Sequence, residues 1–185
     1  SGGIGNHIDR AAGAEHSYRH SDASQRHLNK NYELTKYCQM PLHEAITARI
    51  AEGYTQNKAI RKDAVKYCTH VLTGSHEEMK AIFSKPDTAE LWIKANRHFV
   101  EQEFGKDNIL RFTLHMDEKT PHLHVVTVPL TSDGRLSAKE MIGNRQQMQS
   151  RQDRYSEAMQ EFGLKRGEKS TGVSHESARE YYSRI

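Results

Sequence analysis

An α+β fold built on an antiparallel β-sheet is what this sequence of 185 residues predicts. Three observations carry that expectation. Two β-prone runs, 108–116 and 122–130, are joined by a short polar connection and read as a hairpin. A third run, 64–73, alternates Val65, Tyr67, Thr69 and Val71 in the manner of a strand. The segments between and after these runs carry helical periodicity and caps, giving the order β, α, β-hairpin, α.

Taken in order, residues 1–34 are rich in Gly, Ser, Asn, Asp and His and read as loop with short helical or extended pieces. Pro41 followed by Leu42, Ala45, Ile46 and Ile50 predicts a helix with proline in its first turn, closed by Gly53. After the strand at 64–73, Ser75 with Glu78 forms a capping box that opens a short helix. Asp87 with Glu90 reads as a second such box. It opens a longer helix with Leu91, Ala95, Phe99 and Val100 on one stripe, ending at Gly105. Beyond the hairpin, 144–162 predicts a polar helix ended by Gly163, and Ser174 caps a further one.

Composition narrows the classes. Hydrophobic residues make up 35% and mean hydropathy is −0.86, so the core is modest and the surface polar. The sequence has no stretch of about 18 apolar residues. It has no signal-type apolar segment either, so membrane and secretory readings fail. The first residue is Ser1 and not methionine, which points to trimming or processing. Two cysteines, Cys38 and Cys68, are too few for a disulfide framework and fit reduced thiols in a cytosolic protein. A net charge of +3 is compatible with a polyanionic partner.

Three of the twelve histidines cluster in His115-Met116-Asp117-Glu118-Lys119-Thr120-Pro121-His122-Leu123-His124. Strand side chains alternate faces, so His122 and His124 share one. His115 lies in phase with Arg111 and Thr113, while Leu110, Phe112 and Leu114 point the other way. A hairpin bending at Lys119-Thr120-Pro121 sets His115 opposite the other two, with Cβ atoms about 5 Å apart. Three imidazoles then converge as ligands for a divalent cation, Mn²⁺, Zn²⁺, Ni²⁺ or Co²⁺. Three protein ligands leave positions open for water or a phosphate oxygen, the pattern of a catalytic site. Asp117 and Glu118 could orient a ligand histidine or act as a general base. Because ligand histidines must be neutral, metal binding is expected to weaken below about pH 6.5.

The hairpin resembles the third motif, H-x-D-E-x-x-P-H-x-H, of the MobV-type (Mob/Pre) plasmid-mobilisation relaxases. His7-Ile8-Asp9-Arg10 is similar to the family's first motif, H-x-x-R. Asn31-Tyr32-Glu33-Leu34 is similar to its second, N-Y-E-L. The run from Asn57 to Val65 also looks like a family segment, and the likeness extends from Gly2 to about Gly167.

The resemblance implies an HUH relaxase fold, a central antiparallel sheet of about five strands flanked by helices. It implies nicking of one DNA strand at a transfer origin by metal-assisted transesterification, with a covalent 5′-phosphate adduct later rejoined. The implied ion is divalent, Mn²⁺ first, with Mg²⁺, Zn²⁺, Ni²⁺ or Co²⁺ as others. It implies His7 as nucleophile, Arg10 as its partner on the scissile phosphate, and Glu118 as acceptor of the His7 proton. A neutral imidazole can attack phosphorus and conserve the bond energy as a phosphoramidate. With a reference pKa near 6.5 it is largely neutral at physiological pH. Tyr32 is the rival nucleophile and Tyr18 a weaker one; Tyr32 more readily packs or hydrogen-bonds under the site, beside Asp117.

DNA-contact candidates are Arg26, Asn31, Arg61 and Lys62, with Lys30 and Lys58 in the same basic group. Arg145, Arg151 and Arg154 form a second group, of which Arg151 and Arg154 read as a solvated helix face. Implied partners are single-stranded or supercoiled origin DNA and a conjugative coupling protein, in the bacterial cytoplasm. Only six residues precede His7, where the family carries a strand, and the chain stops at Ile185, before the family's coiled-coil region. The expectation is one catalytic domain over 1–185, monomeric and lacking both. Competing readings are an HUH replication initiator or transposase, in which the metal pair precedes the nucleophile, and a non-catalytic single-stranded DNA-binding module. A small-molecule metal hydrolase lacks a supporting motif.

Overall fold

The computed structural model describes residues 2–167. Helix α1 (Gly2–Ile8) leads through short 3₁₀ turns to the two-residue strand β1 (Lys30–Asn31). Then come α2 (Leu42–Gly53), β2 (Cys68–Leu72), α3 (His76–Phe83) and α4 (Pro86–Phe104). The hairpin β3 (Ile109–His115) and β4 (His122–Thr127) follows, then α5 (Ala138–Ile142) and α6 (Arg145–Ala158). The strands pair antiparallel in the order β1-β3-β4-β2, so the hairpin is central. The α+β architecture with an antiparallel sheet is therefore as expected; the described residues form four strands where about five were implied. The further helix expected at Ser174 lies outside the described residues.

Two hydrophobic layers form on opposite faces of the sheet. Phe112, Leu114, Leu123 and Val125 meet Met79 and Ile82 of α3, Trp92, Val100 and Phe104 of α4, and Met159 just after α6. On the other face Leu110, Val126 and Val128 meet Ile8 of α1 and Leu42, Ala45 and Ile46 of α2. Leu110 joins this second layer because the register slips between Ile109 and Arg111, a bulge that turns two consecutive side chains to one face. Strict alternation, which put Leu110 with Phe112, misses it.

Other boundaries moved for identifiable reasons. The strand over 64–73 shrinks to Cys68–Leu72, with Thr69 and Val71 on its exposed side, and Val65 lies outside it, 53% exposed. Its core-facing residues are Leu72 and His70, the latter stacked on Phe104 at 4.3 Å between centroids. The Ser75–Glu78 capping box is present. Asp87 caps nothing: Pro86 takes the first helical position and Lys85 the cap, as a ring with a fixed φ and no N–H favours. Asn144 and Gln147 supply an unforeseen capping box for α6.

Trp92 is fully buried and edge-on to Phe83 at 5.7 Å. Trp92→Ala is expected to cost about 3–5 kcal/mol. Trp92→Phe should cost less, because among the described residues the indole Nε1 has no partner to lose. Urea unfolding of both variants checks the difference.

Candidate active site

The register fixes where the histidines stand. His115 pairs with His122 and Thr113 with His124, so all three imidazoles lie on the face covered elsewhere by α1 and α2. Ring centroids are 4.6 Å apart for His115–His124, 4.8 Å for His122–His124 and 5.3 Å for His115–His122. The sequence expectation of one convergent cluster is met. The Nε2 atoms of His122 and His124 stand 3.1 Å apart. Nitrogens sharing one ion at about 2.1 Å stand roughly 3–3.4 Å apart.

Backbone carbonyls settle the tautomers, since a carbonyl oxygen can only accept. His115 Nε2 donates to Ile8 O at 2.9 Å, which leaves Nδ1 with its lone pair. That Nδ1 is buried and unpartnered, the condition of a ligand atom awaiting a cation. His122 Nδ1 donates to Thr120 O at 2.8 Å, freeing Nε2. The residues therefore fit a divalent ion. Burial pushes His115 down to about 4, and burial with the neighbouring His115 and His122 pushes His124 down to about 2.

Three ion pairs bracket His7. It lies near the end of α1, half-buried, with its ring 5.3 Å from His124 and 5.9 Å from His115. His7 Nδ1 donates to Ser17 O at 2.7 Å, so Nε2 carries the lone pair. On one side Asp9 takes a bidentate pair from buried Arg111, at 2.8 and 2.9 Å. On the other, Arg10 bonds both Asp117 oxygens at 2.9 and 2.8 Å and Glu118 at 2.7 Å, and donates to His7 O at 2.7 Å. Arg10 also has φ +48°, a left-handed backbone uncommon outside glycine and found mostly at constrained sites. Burial alone raises the Asp117 carboxyl, but the hydrogen bonds and charge of Arg10 bring it down to about 2.

Arg10, expected on the scissile phosphate, is instead a buried clamp between α1 and the metal hairpin, its side chain 5% exposed. Glu118, expected beside His7, accepts from Arg10. Its carboxylate lies within 4.8 Å of ligand atoms of His115 and His122. Tyr32 is not under the site at all. It packs edge-on to Phe112 at 5.8 Å, on the far face of the sheet, because a strand places neighbours of His115 and of Phe112 on opposite sides. Tyr18 is near the site, yet its hydroxyl donates to Ala11 O and its ring lies under Arg10 and Arg26.

Of the DNA-contact candidates, Arg26 and Asn31 border the site. Arg26 Nε is 4.0 Å from Asp117, and Asn31 accepts from Thr113 Oγ1 at 3.0 Å. Both line a groove of about 610 Å³ with Arg10, Lys30, Arg111 and Thr113. Arg61 and Lys62 do not belong to it. They precede Cys68, which pairs with Thr127 at the end of β4 away from His122, and Arg61 is exposed beside Asp63. Arg151 and Arg154 are engaged by Glu103 and not merely solvated. The backbone acceptors Ile8, Ser17 and Thr120 escaped the sequence reading, since a carbonyl leaves no residue-type signal. Arg111 left one: a cation in phase with the histidines on an otherwise apolar strand.

An antiparallel sheet with a three-histidine hairpin at its centre, and a fourth imidazole clamped beside it by a buried arginine, defines a metal-binding α+β class. The chain belongs to the plasmid recombination enzyme family, Mob_Pre, whose model matches residues 2–183. A plasmid recombination enzyme type 3 of Staphylococcus aureus is 35% identical over 97% of the chain and 43% of its own length. A plasmid recombination enzyme of Lactiplantibacillus plantarum is 34% identical over 97% and 48%. The chain thus spans under half the length of these curated relatives. Among solved structures, the MobM relaxase domain (MOBV; Mob_Pre), Mn-bound and in complex with plasmid pMV158 oriT DNA, superposes with a TM-score of 0.84. It is 26% identical, with 100% of this chain and 92% of that one covered.

Acid stability offers a check. His115 and His70 are lowered to about 4 and His124 to about 2, burial being the first cause in each. The unfolded chain then binds more protons than the native one below the free value near 6.5. Stability should be full above that pH and fall by a few kcal/mol as pH drops from 6.5 towards 4. Urea midpoints across this range test it; a flat profile would contradict neutral buried histidines.

Proposed function

We propose that the chain acts as a relaxase catalytic domain, nicking one strand at a transfer origin through His7 and later rejoining it. The observation that carries this reading is the His7 tautomer: Ser17 O holds the Nδ1 proton, so the Nε2 lone pair is ready beside the three-histidine cluster. Attack by Nε2 forms a nitrogen–phosphorus bond and breaks the P–O3′ bond; O3′ leaves with the electron pair and takes a proton from solvent water, while the phosphorylated ring keeps its Nδ1 proton on Ser17 O as a cation. The 5′ phosphate remains on His7, and the free 3′ hydroxyl reverses the step. With the tautomer set, His7 needs no carboxylate to expose its lone pair. Glu118 then serves chiefly to hold Arg10, and Arg10 and Asp117 act as positioning residues.

His115, His122 and His124 would hold a divalent ion, Mn²⁺ first since the MobM structure is Mn-bound, and that ion would supply Lewis-acid charge to the phosphate. The groove lined by Arg10, Arg26, Lys30, Asn31 and Arg111 begins at the residues following His7, and Arg26 and Lys30 suit the DNA backbone. The proposed substrate is origin DNA, as bound in the MobM structures, with a coupling protein as partner in the bacterial cytoplasm. No described helix is long and apolar enough to cross a membrane.

The direct test incubates the protein with a labelled single-stranded oligonucleotide carrying the transfer origin of its own element, plus Mn²⁺. A nick and a slow covalent species on a denaturing gel are expected. Binding without either would reduce the chain to a DNA-binding module.

A further inference from the structure

We propose that His7 doubles as a fourth nitrogen ligand of the ion held by His115, His122 and His124, so that the nucleophile is parked on the metal until a DNA phosphate displaces it. This rests on the relaxase reading and adds a resting state to it. One ligand nitrogen each from His7, His115 and His124 already lies within 4.8 Å of the others. Shared coordination at about 2.1 Å requires separations of roughly 3–3.4 Å, so ligation would draw these nitrogens closer together.

The chemistry of the ring favours the same role. Ser17 O occupies Nδ1, so Nε2 is the nitrogen free to bind, and among the described residues nothing donates to it. A carbonyl on the distal nitrogen is also what orients His115 through Ile8 and His122 through Thr120. His7 therefore shares the outer-sphere arrangement of two proposed ligands. Its backbone cannot drift away, because Asp9 is fixed to Arg111 and Arg10 to Asp117.

The identity of the ion then governs how firmly the nucleophile is held. Four imidazoles complete the tetrahedral site that Zn²⁺ prefers. Mn²⁺ binds nitrogen less strongly and accepts more oxygen ligands, so a phosphate oxygen displaces His7 more easily. Zn²⁺ should bind tighter while slowing adduct formation.

Cobalt reports the ligand count without turnover. Wild-type protein loaded with Co²⁺ should show the intense visible bands of four-coordinate cobalt. In His7→Gln, and on adding the origin oligonucleotide to the wild type, an oxygen replaces the fourth nitrogen and those bands should shift in position and intensity. The Zn²⁺ dissociation constant of His7→Gln should rise tenfold or more, since even a lost outer-sphere partner costs about 10–100-fold. If the substitution perturbs folding, histidine ¹⁵N resonances of the wild type titrated with Zn²⁺ give the same answer, with Nε2 of His7 moving alongside the other ligands. Identical cobalt spectra and zinc affinities for wild type and His7→Gln, or an unmoved His7 Nε2, overturn the proposal even if a DNA adduct forms. A His7 ligation signal with no adduct supports the ligation and sinks the relaxase reading instead.

Discussion

His7→Ala is expected to abolish the covalent protein–DNA adduct, lowering strand cleavage by roughly 10⁴-fold or more, the scale on which loss of a nucleophile acts. Tyr32→Phe should leave the adduct intact. The two residues lie on opposite faces of the sheet, with Tyr32 against Phe112 and His7 against His115 and His124. Burial, then the charge of Glu90, also raises the Tyr32 phenol, which makes it a poorer nucleophile near neutrality. Denaturing gels with both variants decide between them. Survival of the adduct without His7 would remove the assignment. Origin DNA should still bind the His7→Ala protein, because the groove cations Arg26 and Lys30 are untouched.

The hairpin was legible because two local rules, strand alternation and the breaking of the strand at Pro121, place His115 opposite His122 without knowledge of the rest of the fold. The helix at 76–83 was legible through its capping box and that at 42–53 through Pro41 and its apolar residues, whereas in 86–104 the expected stripe is displaced: Leu91 is 57% exposed and Ala89, Trp92 and Val100 face the core. What stayed hidden depends on tertiary geometry. The bulge that turns Leu110 to the α2 side has no marker residue. The helix over 2–8 has neither a strong stripe nor a cap, and it is held by what it meets: Ile8 in a core layer, Asp9 on Arg111 and Arg10 on Asp117. The partners of Arg10 are hidden from the sequence for the same reason. An arginine three residues after a nucleophile suggests a phosphate contact, and only the fold reveals that a buried aspartate from the hairpin claims it first. Arg61 and Lys62 show the converse: a basic pair near the middle of the sequence lies at the wrong end of the sheet.

Breaking that buried pair should cost as much stability as truncating Trp92. Asp117→Ala leaves the Arg10 guanidinium, 5% exposed, with Glu118 and a backbone oxygen as acceptors. Removing one partner of a buried ion pair costs about 3–5 kcal/mol, because the remaining charge stays desolvated. Arg10→Met should cost a similar amount by stranding Asp117. The double variant Arg10→Met/Asp117→Ala should be more stable than either single one, since no charge is then left alone. Its adduct formation should nevertheless stay low, because the arginine that grips the His7 carbonyl and the hairpin together is gone, leaving only Asp9–Arg111 and the Ile8–His115 hydrogen bond to hold that helix end. Acid should not mimic these variants. The Asp117 carboxyl sits near 2 against a free value near 3.9, so its contribution is present above the free value and lost only as pH falls towards 2. Urea unfolding and adduct rates on the three proteins separate the two effects: recovery of both in the double variant would mean that the clamp stabilises the fold without positioning the nucleophile.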